Sequence, residues 1–82
     1  MRADAVPLTR LAEGDRARVT ELCGPYDSPA AHLVAVGVLP GAELELLQRY
    51  PALVLRIGNT EFAIDDALAA RVWVQQTAGE AG

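Results

Sequence analysis

Short runs in which hydrophobic and polar residues alternate recur along most of the chain, and they predict β-strands. Ala17 and Val19 alternate with Arg18 and Thr20, which is the pattern of a strand with one buried face. The pattern slips by one residue before Leu22, so we expect a β-bulge between Val19 and Leu22. Further runs follow at 43–46, 53–57, 61–64 and 72–74. The chain is therefore predicted to be mainly β, with about five short strands.

One segment between the first two predicted strands has the end signals of a short helix. Ser28 suits the N-cap, Pro29 suits the first helical position, and Gly37 suits the first position beyond the C-terminus. These signals enclose about two turns. Pro40 and Gly41 then predict a tight turn, because proline suits its second position and glycine suits a third position with positive φ. We expect Gly37, Pro40 and Gly41 to serve the backbone conformation of this unit.

Strands this short, joined by tight turns, are typical of a small antiparallel barrel, which leaves few sheet edges exposed. The prediction adds one helix of two turns and one or two single helical turns, one of them beginning at Asp65 or Asp66. With 82 residues the chain has room for one domain, which we place at 7–75. The segments 1–6 and 76–82 lack such patterns and are expected to be flexible tails.

Composition and charge disfavour several classes of protein. The chain has 7 Arg and no Lys against 11 Asp and Glu, a formal net charge of -4. It therefore lacks the excess of positive charge on which non-specific binding to nucleic acid depends. No run approaches the roughly 18 apolar residues of a membrane-spanning helix, so we expect no direct membrane insertion. The single cysteine, Cys23, excludes an internal disulfide framework and suits a reducing cytoplasm.

Candidate catalytic and metal-binding residues are few. His32 is the only histidine, and no motif places Cys23 or another nucleophile beside it, so an enzyme is the class we expect least. A closed zinc site uses four Cys, His or carboxylate ligands, which this chain does not offer at a suitable spacing. His32 and Cys23 are the weak metal candidates, for an ion such as Fe(II) or zinc shared by two copies at the surface. We expect no required cofactor.

The order of the elements, together with several short motifs, resembles a known family. The motifs are Leu8-Thr9-x-Leu11-x-x-Gly14, Ala17-Arg18-Val19-x-Glu21-Leu22, Leu33-x-x-Val36-Gly37-Val38-Leu39-Pro40-Gly41-x-x-Leu44, Val54-Leu55-Arg56-Ile57-Gly58 and Ala67-x-x-Ala70-x-Val72-x-Val74. They resemble the FeoA family from about residue 8 to residue 74. The family usually has Met where this chain has Val36, and Arg residues where it has Ala30-Ala31-His32. These departures concern the residues that would face a partner.

The resemblance implies an SH3-like barrel that acts as a small cytosolic accessory of bacterial ferrous-iron uptake. The implied partner is the FeoB membrane transporter, on whose cytosolic part the accessory would dock to regulate it without catalysing a reaction. The helix and its flanking loops are the predicted contact surface, because exposed aromatic residues and arginines dominate interface energetics. The candidate partner-binding residues are Tyr26, Asp27, His32, Arg49 and Tyr50.

Two other functions remain open at this point. One is a metal-sensing domain, in which a transition-metal ion bound at His32 or Cys23 changes association. The other follows from the resemblance, because the same barrel occurs in metal-dependent repressors of the diphtheria-toxin-repressor type. In that case the chain would bind a peptide from a DNA-binding protein. A weak homo-oligomer is compatible with all three functions.

Overall fold

The computed structural model describes residues 5–77, which form six β-strands and three short helical segments. The strands are β1 (Ala5–Pro7), β2 (Arg16–Leu22), β3 (Glu43–Gln48), β4 (Leu53–Ile57), β5 (Thr60–Ile64) and β6 (Val72–Gln76). The helices are α1 (Ser28–Ala35), between β2 and β3, and α2 (Asp66–Ala69), between β5 and β6; a 3-10 turn (Leu8–Arg10) follows β1. All neighbouring strands are antiparallel, in the order β1-β6-β2-β3-β4-β5.

The mainly β prediction is confirmed, with one strand more than the five expected. The additional strand is β1, in which Ala5 and Val6 pair with β6. These two residues, and Gln76 at the end of β6, were expected in tails but lie in paired strands. A strand of three residues is too short to show a recognisable alternation of hydrophobic and polar positions. It is identified only by its pairing with β6 in the folded structure. The rest of the two expected tails lies outside the described residues, apart from Thr77, whose N–H donates to the Arg16 carbonyl at 3.0 Å.

One hydrophobic core explains why the sheet is curled. The core side chains from the sheet are Ala17, Val19, Leu44, Leu46, Leu53, Leu55, Ile64, Val72 and Val74. Because every strand from β2 to β6 directs side chains into this one cluster, the sheet curls around it. Leu33 of α1 and Ala69 of α2 belong to the same cluster and cover it. Each fully buried Leu or Val contributes about 1.5–3 kcal/mol through removal of its surface from water.

The N-terminus of α1 differs from the prediction by one residue. Asp27 is the N-cap, and its Oδ1 accepts a hydrogen bond from the Ala30 N–H at 3.1 Å. Ser28, which we expected to cap, is the first residue of the helix, and Pro29 lies in the first turn. Asp and Ser cap with similar strength, so the local sequence does not decide between neighbours. Asp27 also binds a distant arginine, which favours its selection.

The C-terminus of α1 closes through a left-handed glycine. Gly37 has φ of +107° and its N–H donates to the Val34 carbonyl at 3.0 Å. The Val38 N–H donates to the Leu33 carbonyl at 2.9 Å, and both of these side chains are fully buried. This is the Schellman pattern, in which the glycine supplies the backbone reversal and a hydrophobic contact secures it.

None of the helices within residues 5–77 is long and apolar enough to cross a membrane.

The turn after α1 is hydrogen-bonded to β2 at the predicted bulge. The Ala42 N–H donates to the Leu39 carbonyl at 2.9 Å across Pro40 and Gly41, and Gly41 has φ of +95°. Val19 exchanges two hydrogen bonds with this turn, of 2.7 and 2.8 Å. The pairing of β2 with β6 shifts register between Val19 and Glu21, as the sequence pattern predicts. The turn therefore anchors α1 to the sheet.

Candidate functional site

The loop between β2 and α1, residues 23–27, is held by one arginine, Arg71, which lies between α2 and β6. The Arg71 Nε donates to the Cys23 carbonyl at 2.9 Å, and its Nη2 donates to the Pro25 carbonyl at 2.6 Å. Its Nη1 lies 3.3 Å from both carboxylate oxygens of Asp27. The Cys23 N–H donates in return to the Arg71 carbonyl at 2.7 Å. One guanidinium thus binds the start, middle and end of the loop through charge-assisted hydrogen bonds.

Gly24 allows the arginine to come this close to the loop. A Cβ at this position would lie 2.7 Å from the Arg71 Nε, which is closer than real side chains tolerate. The φ of Gly24 is +96°, a conformation that other residues adopt only with strain. The glycine therefore serves two requirements, a backbone reversal and a close approach.

Asp27 is committed to holding the loop and α1 together. Its carboxylate accepts from the Ala30 N–H and pairs with Arg71. The hydrogen bond from Ala30, assisted by the hydrogen bond and positive charge of Arg71, lowers the pKa of Asp27 below its usual value. The carboxylate is therefore ionised at neutral pH. Asp27, a sequence-predicted partner residue, acts first as the residue that joins the loop to the helix.

Tyr26 lies on this fixed loop with its side chain in solvent. It is 72% exposed, and the large hydrophobic side chains exposed within residues 5–77 are Tyr26, Leu39 and Tyr50. Arg71 binds the Pro25 carbonyl before Tyr26 and the Asp27 carboxylate after it, so the loop is already fixed and covering the ring would cost little ordering entropy. An exposed aromatic ring on a rigid loop has the properties of an interface anchor.

A shallow pocket of about 170 Å³ lies where α1 meets α2. We name it the α1–α2 pocket; it is lined by Pro29, Asp65, Ala67, Leu68 and Arg71. Pro29 comes from the first turn of α1 and the Ala67–Leu68 pair from α2. Asp65 caps α2 by accepting from the Leu68 N–H at 2.7 Å, which the sequence predicted as one of two choices. The arginine that fixes the loop thus also forms one wall of the pocket.

Arg49 and Tyr50 lie in a second group of contacts. The Arg49 Nη1 donates to the carbonyls of Thr9 and Leu11 at 3.0 and 2.6 Å, and its N–H donates to Glu13 Oε2 at 2.9 Å. This side chain therefore connects the end of β3 to the 3-10 turn and to the residue that follows it. Tyr50 is 80% exposed. No hydrogen bond found within residues 5–77 joins this group to the 23–27 loop.

The two weak metal candidates do not meet in a metal centre. The Cys23 Sγ donates to Glu21 Oε2 at 3.4 Å, and His32 lies on the exposed side of α1. Partial burial, together with the hydrogen bond and negative charge of Glu21, raises the pKa of the Cys23 thiol above its usual value. In the part of the chain that the structure describes, no three or more His, Cys, Asp or Glu side chains are grouped to hold a metal ion. A site shared by two copies stays a prediction.

The face of β2–β5 that points away from the core, toward solvent, carries paired charges. We call these residues the charge ladder: Arg18, Glu43, Glu45, Arg56 and Glu61. Arg18 pairs with Glu43 at 2.9 Å, and Arg56 pairs with Glu45 at 2.9 Å and with Glu61 at 3.6 Å. All three pairs join residues directly opposite each other on neighbouring strands. These ion pairs are largely exposed, so each contributes at most about 1 kcal/mol.

Sequence reasoning missed the residues that build the site. Arg71 lies 44 to 48 positions from the loop residues it binds, and it is an unspecified position in the motif of its segment. Ala67 and Leu68 looked like ordinary residues of a short helical turn. The one local signal was Gly24, because an isolated glycine at a strand end often marks a close approach by another group.

Comparison with known proteins agrees with this architecture. The sequence model of the FeoA domain matches residues 6–76. A search of curated proteins found no match. A crystal structure of an iron uptake regulatory protein, FeoA, is 32% identical with a TM-score of 0.79, covering 88% of this chain and 96% of that one.

Two further solved structures bear on the fold. A FeoA of Stenotrophomonas maltophilia complexed with zinc, described as a procaryotic SH3 domain protein, is 27% identical with a TM-score of 0.73, covering 83% of this chain and 87% of that one. A manganese-dependent transcriptional repressor has a TM-score of 0.78 at 17% identity, covering 88% of this chain and 41% of that one, and so shows the fold alone. The predicted SH3-like fold is confirmed, and since the family model spans almost all of the described residues, the chain belongs to the FeoA family.

Proposed function

We propose that this protein is a non-enzymatic accessory of bacterial ferrous-iron uptake, acting in the cytoplasm by docking on the cytosolic part of a FeoB-type transporter. Family membership supports the iron-uptake role, since one relative is an iron uptake regulatory protein. The S. maltophilia relative has been proposed as a ferrous iron transport activating factor. The observation that carries the docking role is Tyr26, an exposed aromatic ring on a loop fixed by Arg71.

The chemistry of the site supports binding over catalysis. The Cys23 thiol is hydrogen-bonded to Glu21, and partial burial together with this hydrogen bond raises the pKa of the thiol above its usual value. Asp27 and Asp65 are each engaged in capping a helix. These are the uses that a rigid binding module makes of its polar side chains, whereas a catalytic nucleophile requires a neighbouring base and an orienting group.

A binding measurement with purified components tests the docking role. The cytosolic part of the FeoB-type transporter from the same organism is titrated with this protein by calorimetry, with and without guanine nucleotide and Fe(II). We expect saturable one-to-one binding in at least one of these conditions. Absence of binding in all of them would remove the docking role while leaving the family membership intact.

A second candidate function is metal-linked association. The zinc complex of the S. maltophilia relative and the exposed position of His32 on α1 favour it. A transition-metal ion held by His32 and carboxylates of two copies would produce a weak homodimer. Sedimentation of the wild type with and without zinc, beside His32→Gln and Cys23→Ser, tests this. Loss of zinc-dependent dimers in His32→Gln supports the idea, and a monomeric wild type in zinc contradicts it.

A further inference from the structure

The floor of the α1–α2 pocket is suited to an apolar side chain. Pro29 and Ala67 are exposed at its surface, and Leu68 is half-buried with one side packed on the core. Asp65 already satisfies the Leu68 N–H, and Pro29 has no N–H to satisfy. An apolar group entering from a partner would therefore bury no unpaired donor of Pro29 or Leu68, and a buried unpaired donor is the usual penalty for covering a helix start.

The charged residues around the pocket have a net negative charge. Arg71 is paired with Asp27, so these two charges neutralise each other. Asp65 and Asp66 are exposed, and none of the ion pairs found within residues 5–77 involves either of them. Two carboxylates at the start of α2 are therefore available to a cation from outside: Asp65, which lines the pocket, and Asp66, the next residue in the chain. On the charge ladder, by contrast, Glu43, Glu45 and Glu61 are each paired with an arginine.

Tyr26 extends this surface on the other side of Arg71. The guanidinium that lines the pocket also fixes the Pro25 carbonyl, next to Tyr26. The pocket and the aromatic ring are thus connected through one side chain. Within residues 5–77 the other exposed large hydrophobic side chains are Leu39 and Tyr50. At Tyr26 an exposed ring lies near both an apolar pocket and unpaired carboxylates.

We propose that the α1–α2 pocket and Tyr26 form the docking site for a partner segment that carries an apolar side chain beside Arg or Lys. The apolar side chain fills the pocket, the cation lies against Asp65 and Asp66, and Tyr26 covers the segment. This inference rests on the proposed function, because the segment is assigned to the cytosolic part of the transporter. It specifies which surface of this chain is used and what chemistry the transporter presents to it.

The charge requirement is tested with two matched double variants. Asp65→Asn with Asp66→Asn removes both carboxylate charges, and Asn retains the capping acceptor at position 65. Glu43→Gln with Glu61→Gln makes the same change on the charge ladder. Each pair removes two negative charges, so both proteins have a formal net charge of -2 instead of -4. We expect the first pair to bind the transporter's cytosolic part about tenfold more weakly at low salt, and the second within about twofold of wild type.

The shape requirement is tested by filling the pocket. Ala67→Gln places a larger neutral side chain at an exposed position of α2. Ala63→Gln makes the same substitution at an exposed position of β5 and is the control. We expect about tenfold weaker binding for Ala67→Gln and unchanged binding for Ala63→Gln, with urea denaturation showing that both remain folded.

The outcomes separate this inference from the proposed function. If the wild type binds, and both the Asp65→Asn/Asp66→Asn variant and Ala67→Gln bind as tightly as the wild type, the docking site lies elsewhere. The inference is then overturned while the proposed function stands. If the wild type itself does not bind, the proposed function fails and the inference fails with it. Weaker binding by the pocket variants alone supports both.

Discussion

Arginine side chains hold both the 23–27 loop and the charge ladder, but they do so in different surroundings. Arg71 is 22% exposed and binds two backbone carbonyls and a carboxylate. Arg56 is 43% exposed and binds only the flexible carboxylates of Glu45 and Glu61. Removing Arg71 takes the side-chain donor from the Cys23 carbonyl and leaves the Pro25 carbonyl with the Asp27 N–H as its donor, whereas removing Arg56 leaves carboxylates that water can solvate. Arginine therefore fixes a backbone conformation in the 23–27 loop, whereas on the charge ladder it only forms exposed ion pairs.

The largest expected effect separates these two arginines directly. We predict that Arg71→Ala lowers the free energy of unfolding by about 2–3 kcal/mol, because several hydrogen bonds to a charged group are lost together. Arg56→Ala should cost no more than about 1 kcal/mol, as is usual for exposed ion pairs. Urea denaturation of both variants at neutral pH measures the difference. Equal losses would mean that Arg71 is only another surface charge.

Two glycines sharpen the comparison through the backbone. Gly24 has φ of +96° and a Cβ there would meet Arg71, whereas Gly58 has φ of +60° with nothing within 4 Å. Gly58→Ala should therefore cost about 1 kcal/mol from backbone strain alone, and Gly24→Ala should cost about 2 kcal/mol because a clash is added.

A double-mutant cycle identifies the clash. In the Arg71→Ala background the close contact is gone, so Gly24→Ala should cost only the backbone strain. A penalty at Gly24 that is the same in both backgrounds would show that a clash between the new Cβ and Arg71 contributes nothing to it.

The smallest stability effect concerns the pH dependence of Asp27. Its pKa is lowered in the folded protein, so its ionised form adds stability above the usual Asp pKa of about 3.9, and this is lost as the pH falls through the folded value. Asp27→Asn should therefore be less stable than wild type at pH 6–7, and the difference should shrink below about pH 4. Urea denaturation across this range measures it. A difference that does not change with pH would contradict the assignment.

The Arg71→Ala background provides the control for this pH effect. The hydrogen bond from Ala30 is the larger cause of the lowered Asp27 pKa, and Arg71 is the smaller one. Part of the pH-dependent difference should therefore persist without Arg71. Its complete disappearance would mean that the ion pair, and not the helix cap, is the main cause.

The parts of the fold that the sequence predicts are those with local signals. Pro29 and Gly37 bracket α1 because their own backbone preferences fit its two ends. The bulge after Val19 follows from a break in alternation. The N-cap was misplaced by one residue because Asp27 and Ser28 are both good caps, and its selection depends on Arg71, which is distant in sequence.

The candidate site was predicted only in part, for the same reason. Tyr26 is recognisable as an aromatic residue in a loop, but its fixed position depends on contacts with Arg71 that span more than 40 positions. Arg49 is predicted to bind a partner, and its guanidinium binds the backbone carbonyls of Thr9 and Leu11; its role toward a partner stays a prediction. Hydrogen bonds between distant segments leave no periodic pattern in one sequence, so their partners become visible only in the folded chain.

The binding of two tyrosine variants to the cytosolic part of the FeoB-type transporter tests the central claim most directly. Tyr26 and Tyr50 are both largely exposed, so replacing either with Ala should leave folding almost unchanged. We predict that Tyr26→Ala weakens binding about thirtyfold, as expected for an interface anchor, and that Tyr50→Ala stays within about twofold of wild type. Equal binding by the two variants, or a larger loss for Tyr50→Ala, would contradict the assignment of the 23–27 loop as the docking surface.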